Sequence, residues 1–278
     1  MRNYNFIFTL LVLLLVSAYP VYAQGDLLIT PRRVTFEGSK QRESLNLVNI
    51  GKDTTSYSIT FIQYNMNEDG SFKIIEHADS TQMFADRYLR IFPRSVTLAP
   101  GEPQVIMVQY RRQANMMDGE YRSHLYFRSE ENYKPLGTEN ALSDSSALSV
   151  RLIPIFGISI PIIIRTGEVS ATASLSDLES ETFHDSNQIL KLSINREGNI
   201  SVYGDIIVEY FPPTGRSYEV GLVRGIGVYT NLKKRNLIVK LNVPVGKALT
   251  NGRLKVKYIS NNDKERLVYA EASLEIGN

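Results

Sequence analysis

The sequence predicts an all-β fold built of β-sandwiches, on three observations. Nearly everything after Gln24 alternates apolar and polar residues with period two. Tyr57, Ile59 and Phe61 oppose Ser58 and Thr60, and Tyr121, Ser123, Leu125 and Phe127 oppose Arg122, His124 and Arg128. Leu237, Val239, Leu241 and Val243 likewise oppose Ile238, Lys240 and Asn242, the pattern of half-buried antiparallel strands. Turn chemistry separates the runs at even spacing: Asp69-Gly70, Pro100-Gly101, Gly198-Asn199, Pro212-Pro213-Thr214-Gly215 and Asn261-Asn262-Asp263. Short strands joined by such turns pack as sandwiches. The third observation is residues 150–165, VRLIPIFGISIPIIIR, apolar on both faces of any strand they form. A membrane helix needs about twenty apolar residues. This run is shorter, holds Pro154 and Pro161, and is rich in β-branched Ile, so it predicts a strand. Such a strand is either deeply buried or kept for a partner.

At the start of the chain, Arg2, the apolar stretch 6–16 and Val21-Tyr22-Ala23 read as the three regions of a secretory signal peptide over residues 1–23. The apolar stretch is too brief for a comfortable membrane anchor, and no cysteine follows it for lipid attachment. Cleavage after Ala23 leaves a mature chain that starts at Gln24, has no membrane span and, in a bacterial source, resides in the periplasm. About 250 residues remain, enough for two domains of ordinary size. The chain has no cysteine, although its expected compartment permits disulfides, so burial alone must hold the cores. The formal net charge is +2, with Lys and Arg spread along the chain, which gives no reason to expect a nucleic-acid partner. Residues 80–90 are the one stretch suited to a short helical turn, with Ser80 as cap. Residues 129–147, polar and rich in Ser, Asn, Glu and Gly, read as a long loop leading into the apolar strand. The alternation breaks at Thr166-Gly167-Glu168, which places the boundary between a first domain, 24–165, and a second, 166–278.

Several segments resemble the periplasmic pilus-assembly chaperones, the PapD-like family. Leu28-Ile29-Thr30-Pro31-Arg32-Arg33-Val34-Thr35-Phe36 resembles their first strand, and Ser44-Leu45-Asn46-Leu47-Val48-Asn49 their second. Phe92-Pro93-Arg94-Ser95-Val96-Thr97-Leu98-Ala99-Pro100-Gly101-Glu102 is similar to the family's proline bend and Leu-x-Pro-Gly turn. Asp118-Gly119-Glu120-Tyr121-Arg122-Ser123-His124-Leu125 is similar to its Gly-Glu-Tyr-Arg segment, and the order and spacing match as well. The likeness covers residues 26–165 and, more weakly, the second domain, through Gly198-Asn199 with Val202-Tyr203-Gly204 and Val228-Tyr229-Thr230 near Arg235. It implies two immunoglobulin-like β-sandwich domains set at an angle, a boomerang with a cleft between its arms. It also implies a chaperone whose partners are pilus or surface-fibre subunits that lack their own final strand, with an outer-membrane usher as a further partner. Strand 148–164 would complete the subunit's sandwich.

The physics of such lending is readable in the residues. A sandwich missing a strand exposes a groove and two unpaired edges; a donated strand satisfies the edge amides while alternate side chains fill the groove. From 148 to 164 the even positions are Leu148, Val150, Leu152, Pro154, Phe156, Ile158, Ile160, Ile162 and Ile164, a continuous ridge. The resemblance marks Val150, Leu152, Pro154 and Phe156 as donor side chains, with Ile158 next in the row. Each such side chain, fully buried, contributes about 1.5–3 kcal/mol. Four are then comparable with the about 5–15 kcal/mol that holds a domain together. The competing reading packs the ridge inside the protein's own sandwich, since central strands are often apolar on both faces; Pro154 argues against it, because proline is confined to edges and bulges. An idle apolar edge would also favour a self-capping homodimer.

The chain departs from the family at one point. Members carry an Arg in the first strand and a Lys in the last strand of domain one that together hold the subunit's terminal carboxylate, and here Pro31 and Pro161 stand at those positions. Arg32, Arg33 and Arg165 are the candidate substitutes, because a guanidinium grips a carboxylate through two parallel hydrogen bonds. No catalytic chemistry is legible. His77, His124 and His184 lack metal-ligand spacing, and His124 is expected on the outward face of its strand. No nucleophile elbow or phosphate loop appears, and the acidic stretches 130–131 and 177–181 read as solvated loops. The expectation is therefore a non-enzyme without metal or cofactor: a strand-lending chaperone, or alternatively a structural or adhesive envelope protein that shares the fold and has no client.

Overall fold

The computed structural model describes residues 27–77, 82–130, 155–183, 187–244, 249, 251–261 and 266–277. The expected signal peptide, Ser80 and most of the expected loop at 129–147 lie outside them. Strand β1 (Leu27–Thr30) pairs antiparallel with β3 (Arg42–Asn49). Pro31 has no N–H to continue that ladder. The chain crosses instead to the opposite sheet, where β2 (Val34–Phe36) runs parallel to β10 (Gly157–Thr166). One sheet is thus ordered β1, β3, β8 (Pro103–Tyr110) and β6 (Leu89–Phe92). The facing sheet is β2, β10, β9 (Gly119–Glu130), β4 (Thr55–Met66) and β5 (Phe72–Ile75), with β7 (Ser95–Leu98) also on β4. Between them lies a core that includes Phe36, Leu45, Leu47, Ile59, Ile106 and Phe127, each at most 2% exposed.

A second pair of sheets follows. Strands β11 (Ala171–Phe183), β12 (Asn187–Gly198) and β15 (Lys234–Lys240) form one; β14 (Tyr218–Val228), β13 (Val202–Phe211), β16 (Gly252–Ser260) and β17 (Val268–Ile276) form the other. Their own core gathers Leu190, Ile194, Val208, Val239, Val256 and Tyr258. The protein is accordingly all-β, two sandwiches with separate cores. Among the described residues no helix is long and apolar enough to cross a membrane.

The turns show why their residues were needed. Asn49, fully buried, donates through Nδ2 to Asp53 O and Leu98 O and accepts from Gly51 N–H, tying the end of β3 to the end of β7. Gly101 has φ +75 and carries the turn into β8, with Glu102 Oε2 accepting Ala99 N–H. The helical segment expected at 80–90 is only the 3-10 turn Asp86–Tyr88, with no side-chain cap from its own N-terminus. Ser123 Oγ on β9 accepts the Ala85 and Asp86 N–H groups instead, so a tertiary contact supplies the acceptor that local sequence was expected to give.

Candidate functional site: a half-paired strand and a polar seam

Strand β10 pairs with β9 over its whole length, from Gly157 opposite Arg128 to Thr166 opposite Gly119. On its other side β2 reaches only Ile162, Ile163 and Ile164. Among the described residues, the stretch 157–161 therefore has no ladder partner along that edge, and its outward backbone groups are free to pair. A cavity of about 290 Å³ opens beside it, between β10 and β1, lined by Leu27, Ile29, Arg32, Ile158 and Ile160.

The side chains follow the same division. Ile160, Ile162 and Ile164 are 3%, 0% and 0% exposed and belong to the protein's own core. The expected ridge from 148 to 164 is thus corrected at its far end, because the β1–β3–β8–β6 sheet closes over those three. Ile158 is half-buried and packs on the edge of that core. Phe156 and Ile155 are 44% and 52% exposed. Val150, Leu152 and Pro154 lie outside the described residues. Phe156 N–H donates to Ser129 Oγ, and Ser129 N–H to Phe156 O, each at 2.9 Å, so the approach to β10 is pinned to the end of β9.

On the opposite face of β9 the second sandwich closes down. Glu120, 1% exposed, is the centre. Its Oε1 accepts from Arg122 Nε at 3.1 Å and Nη2 at 2.5 Å. Its Oε2 accepts from Arg165 Nε at 3.1 Å, Ser201 N at 3.1 Å and Ser201 Oγ at 2.7 Å. Burial pushes the Glu120 carboxyl up, and the charges of Arg122 and Arg165 with the Ser201 hydrogen bond outweigh it, holding the group at about 2. Arg165 also donates to Glu37 at 2.7 Å and to Ser201 O at 3.2 Å. Arg122 stacks 3.8 Å above the centre of the Tyr229 ring. Arg33 stacks 4.1 Å above the Tyr203 ring.

His124, expected to face outward into solvent, is 4% exposed. It does leave its own sandwich's core, but the second sandwich covers it: Nε2 pairs with the Tyr229 hydroxyl at 3.1 Å, and Tyr64 meets the ring edge-on at 4.8 Å. Burial, then Arg122 and Arg33, depress its pKa to about 3. It is a neutral imidazole. A second grip lies at the β4–β5 hairpin. Asn236 N–H donates to Glu68 O at 2.7 Å and Asn231 Nδ2 to Met66 O at 2.8 Å. Gly70, at φ +84, lies under the Arg235 guanidinium; a Cβ there would sit 2.1 Å from Nη2.

The structure thus separates the three candidate arginines. Arg32 is exposed beside the β10 cavity, while Arg33 and Arg165 lie at the seam. Sequence reasoning missed Glu120, Arg122, Ser201, Tyr203 and Tyr229 as a group. The available signal was a charged residue at each alternate position of β9, 120 and 122, in a strand otherwise apolar enough to be central. Among the described residues no group of His, Cys, Asp and Glu is placed to hold a metal.

Solved structures similar to this chain include the YadV chaperone, at 14% identity and a TM-score of 0.45 over 91% of this chain and 100% of that one. Another is the CsuC–CsuE chaperone–tip adhesion subunit pre-assembly complex from the archaic chaperone-usher Csu pili of Acinetobacter baumannii, at 13% identity and a TM-score of 0.45 over 91% of this chain and 99% of that one. The E. coli chaperone DraB is similar at 10% identity and a TM-score of 0.43 over 90% and 96%. No family model and no curated protein matches the chain.

Proposed function

We propose that this protein is a periplasmic chaperone that stabilises incomplete pilus or surface-fibre subunits by lending them an apolar strand. The observation that carries the reading is the one-sided ladder at 157–161, preceded by exposed Phe156 and Ile155. A strand paired on one side with apolar side chains projecting ahead of it offers both main-chain hydrogen bonds and groove-filling groups to an incoming sandwich. The lent segment begins before β10, with Val150, Leu152, Pro154 and Phe156 as the inserted side chains and Ile158 at the junction with the protein's own core. Arg32 is the candidate for gripping a client carboxylate, since it is exposed beside the open edge and Arg165 is committed to Glu37 and Glu120. The chain divides into its two working units between 165 and 166. Export through a cleaved signal peptide at 1–23 brings it to its clients.

Co-expression with a subunit that lacks its final strand should give a one-to-one soluble complex, measured by size exclusion with light scattering. The double change Leu152→Asp with Phe156→Asp should abolish the complex and leave the urea midpoint of the free protein unchanged. Unfolding of the free double variant would make those side chains its own core and end the reading.

A further inference from the structure

We propose that the second sandwich carries a docking slot on the outer edge of β15 for a short extended peptide segment of another protein, with a basic side chain of that segment seated in the cavity beside the edge. The slot is independent of strand lending, which uses β10.

The register of β15 fixes which of its main-chain groups face away from β12. Leu241 N–H donates to Gln188 O and Arg196 N–H to Lys233 O, so odd-numbered residues from 233 to 241 turn their N–H and C=O groups toward β12 and even-numbered ones turn theirs outward. The outward row is met at both ends. Asn236 N–H donates to Glu68 O of the β4–β5 hairpin at 2.7 Å, and Asn242 N–H to Val220 O of β14 at 2.6 Å. Between those two brackets, no described residue meets the outward groups of Ile238 and Lys240, because β15 is the last strand of its sheet. Ile238 is 62% exposed there, while Val239 beside it is fully buried. Proteins normally blunt an open edge against pairing. Here the brackets select what can pair: a long strand would run into the hairpin or β14, whereas a segment of a few residues fits and finds the N–H and C=O groups of both Ile238 and Lys240.

Main-chain pairing supplies affinity without choice; choice comes from a pocket for alternate side chains. A cavity of about 650 Å³ adjoins the same edge, with Leu237 and Ile238 on its apolar side and Asp69, Asp177, Glu179 and Lys191 around it. A bulge in β11 between Ser176 and Glu179 forms its far wall, and Asp177 there is the one non-glycine residue at positive φ among the described residues, at +54. The ammonium groups at the cavity are already spent, Lys234 on Asp177 at 2.7 Å and Lys191 on Glu181 at 2.5 Å. Asp69 takes its hydrogen bonds from Ser71, and no described cation lies at ion-pair distance from Glu179. An acid excess beside an apolar wall suits lysine or arginine, whose methylene stem lies on Leu237 and Ile238 while the charged head reaches Asp69 or Glu179.

The test uses the full mature chain and a blocked pentapeptide, threonine-valine-lysine-valine-threonine. Saturating peptide should slow amide hydrogen exchange at Ile238 and Lys240 about tenfold or more and leave 157–161 unchanged. N-methylation of the lysine amide, which would face Ile238, should weaken binding about tenfold. Glutamate in place of that lysine should weaken it by a similar factor, and Glu179→Gln should cut the preference for lysine to about threefold. Ile238→Pro removes an outward N–H and no bond to β12, so binding of the peptide should be lost while capture of a strand-deficient subunit persists. Should that variant unfold, the N-methylated peptide reads the same contact on the wild type. Protection at 157–161 in place of Ile238 and Lys240 would overturn the proposal. So would equal affinity for the N-methylated peptide, equal affinity for the lysine and glutamate peptides, or no binding at millimolar peptide.

Discussion

The two halves of β10 both carry isoleucines and meet different fates. From Ile162 onward the strand has β2 on one side, β9 on the other and the facing sheet above it, so Ile162, Ile163 and Ile164 are all fully buried. At 157–160, where Ile158 and Ile160 alternate with Gly157 and Ser159, β2 has not yet begun and the outer edge is open. Hydrophobicity alone does not open the edge. The reach of the neighbouring strand does, and it is set where Pro31 sends the chain from one sheet to the other.

The largest effect is expected at the closed end. Glu120→Gln leaves Arg122 and Arg165, the anchor just past the isoleucines, without their buried partner. Breaking such a pair should cost about 3–5 kcal/mol in urea unfolding. The loss should be visible in acid as well. A carboxyl held at about 2, below its ordinary 4.5, stabilises the fold fully above about 4.5, and that contribution drains away as pH falls toward 2. His124, held at about 3 below its ordinary 6.5, has the same sign and starts to drain earlier, below 6.5. Stability against pH should therefore fall in two stages in wild type, and Glu120→Gln should remove only the lower one.

Next comes Ile162→Ala, expected to cost about 2–5 kcal/mol through the cavity it leaves. Equal costs for Ile162→Ala and Phe156→Ala would erase the distinction between the closed half of the strand and the approach to its open half. Tyr229→Phe removes the hydroxyl from His124 and should cost about 1 kcal/mol, read from the same denaturation curves. Phe156→Ala, at a side chain 44% exposed, should shift stability by no more than about 0.5 kcal/mol, while weakening capture of a strand-deficient subunit.

Much of this was legible residue by residue. Period two put Tyr57, Ile59, Leu125 and Phe127 in the core, and Ile238 was rightly opposed to Val239: it is 62% exposed where Val239 is fully buried. The open edge was not legible, because it depends on how far β2 extends, and nothing in 157–164 encodes its neighbour's length. The seam was hidden for a different reason. Residues 119–125 are buried on both faces, one by the first core and one by Ser201 and Tyr229, which lie about 80 and 105 positions away. Alternation assumes that one face meets water, so His124 was read as outward when a second sandwich had taken the water's place.

The hairpin between β4 and β5 holds the second sandwich largely through carbonyl oxygens, those of Met66 and Glu68. A handle made of main chain is indifferent to which exposed side chains ride on it, so positions 67 and 68 are at liberty to drift over evolutionary time without loosening the joint, whereas Met66, 2% exposed, is held by its own burial. Gly70 has no such liberty, since its φ of +84 is a backbone conformation that side chains rarely adopt. Relatives that keep the joint should vary at 67 and 68, stay apolar at 66 and keep glycine at 70.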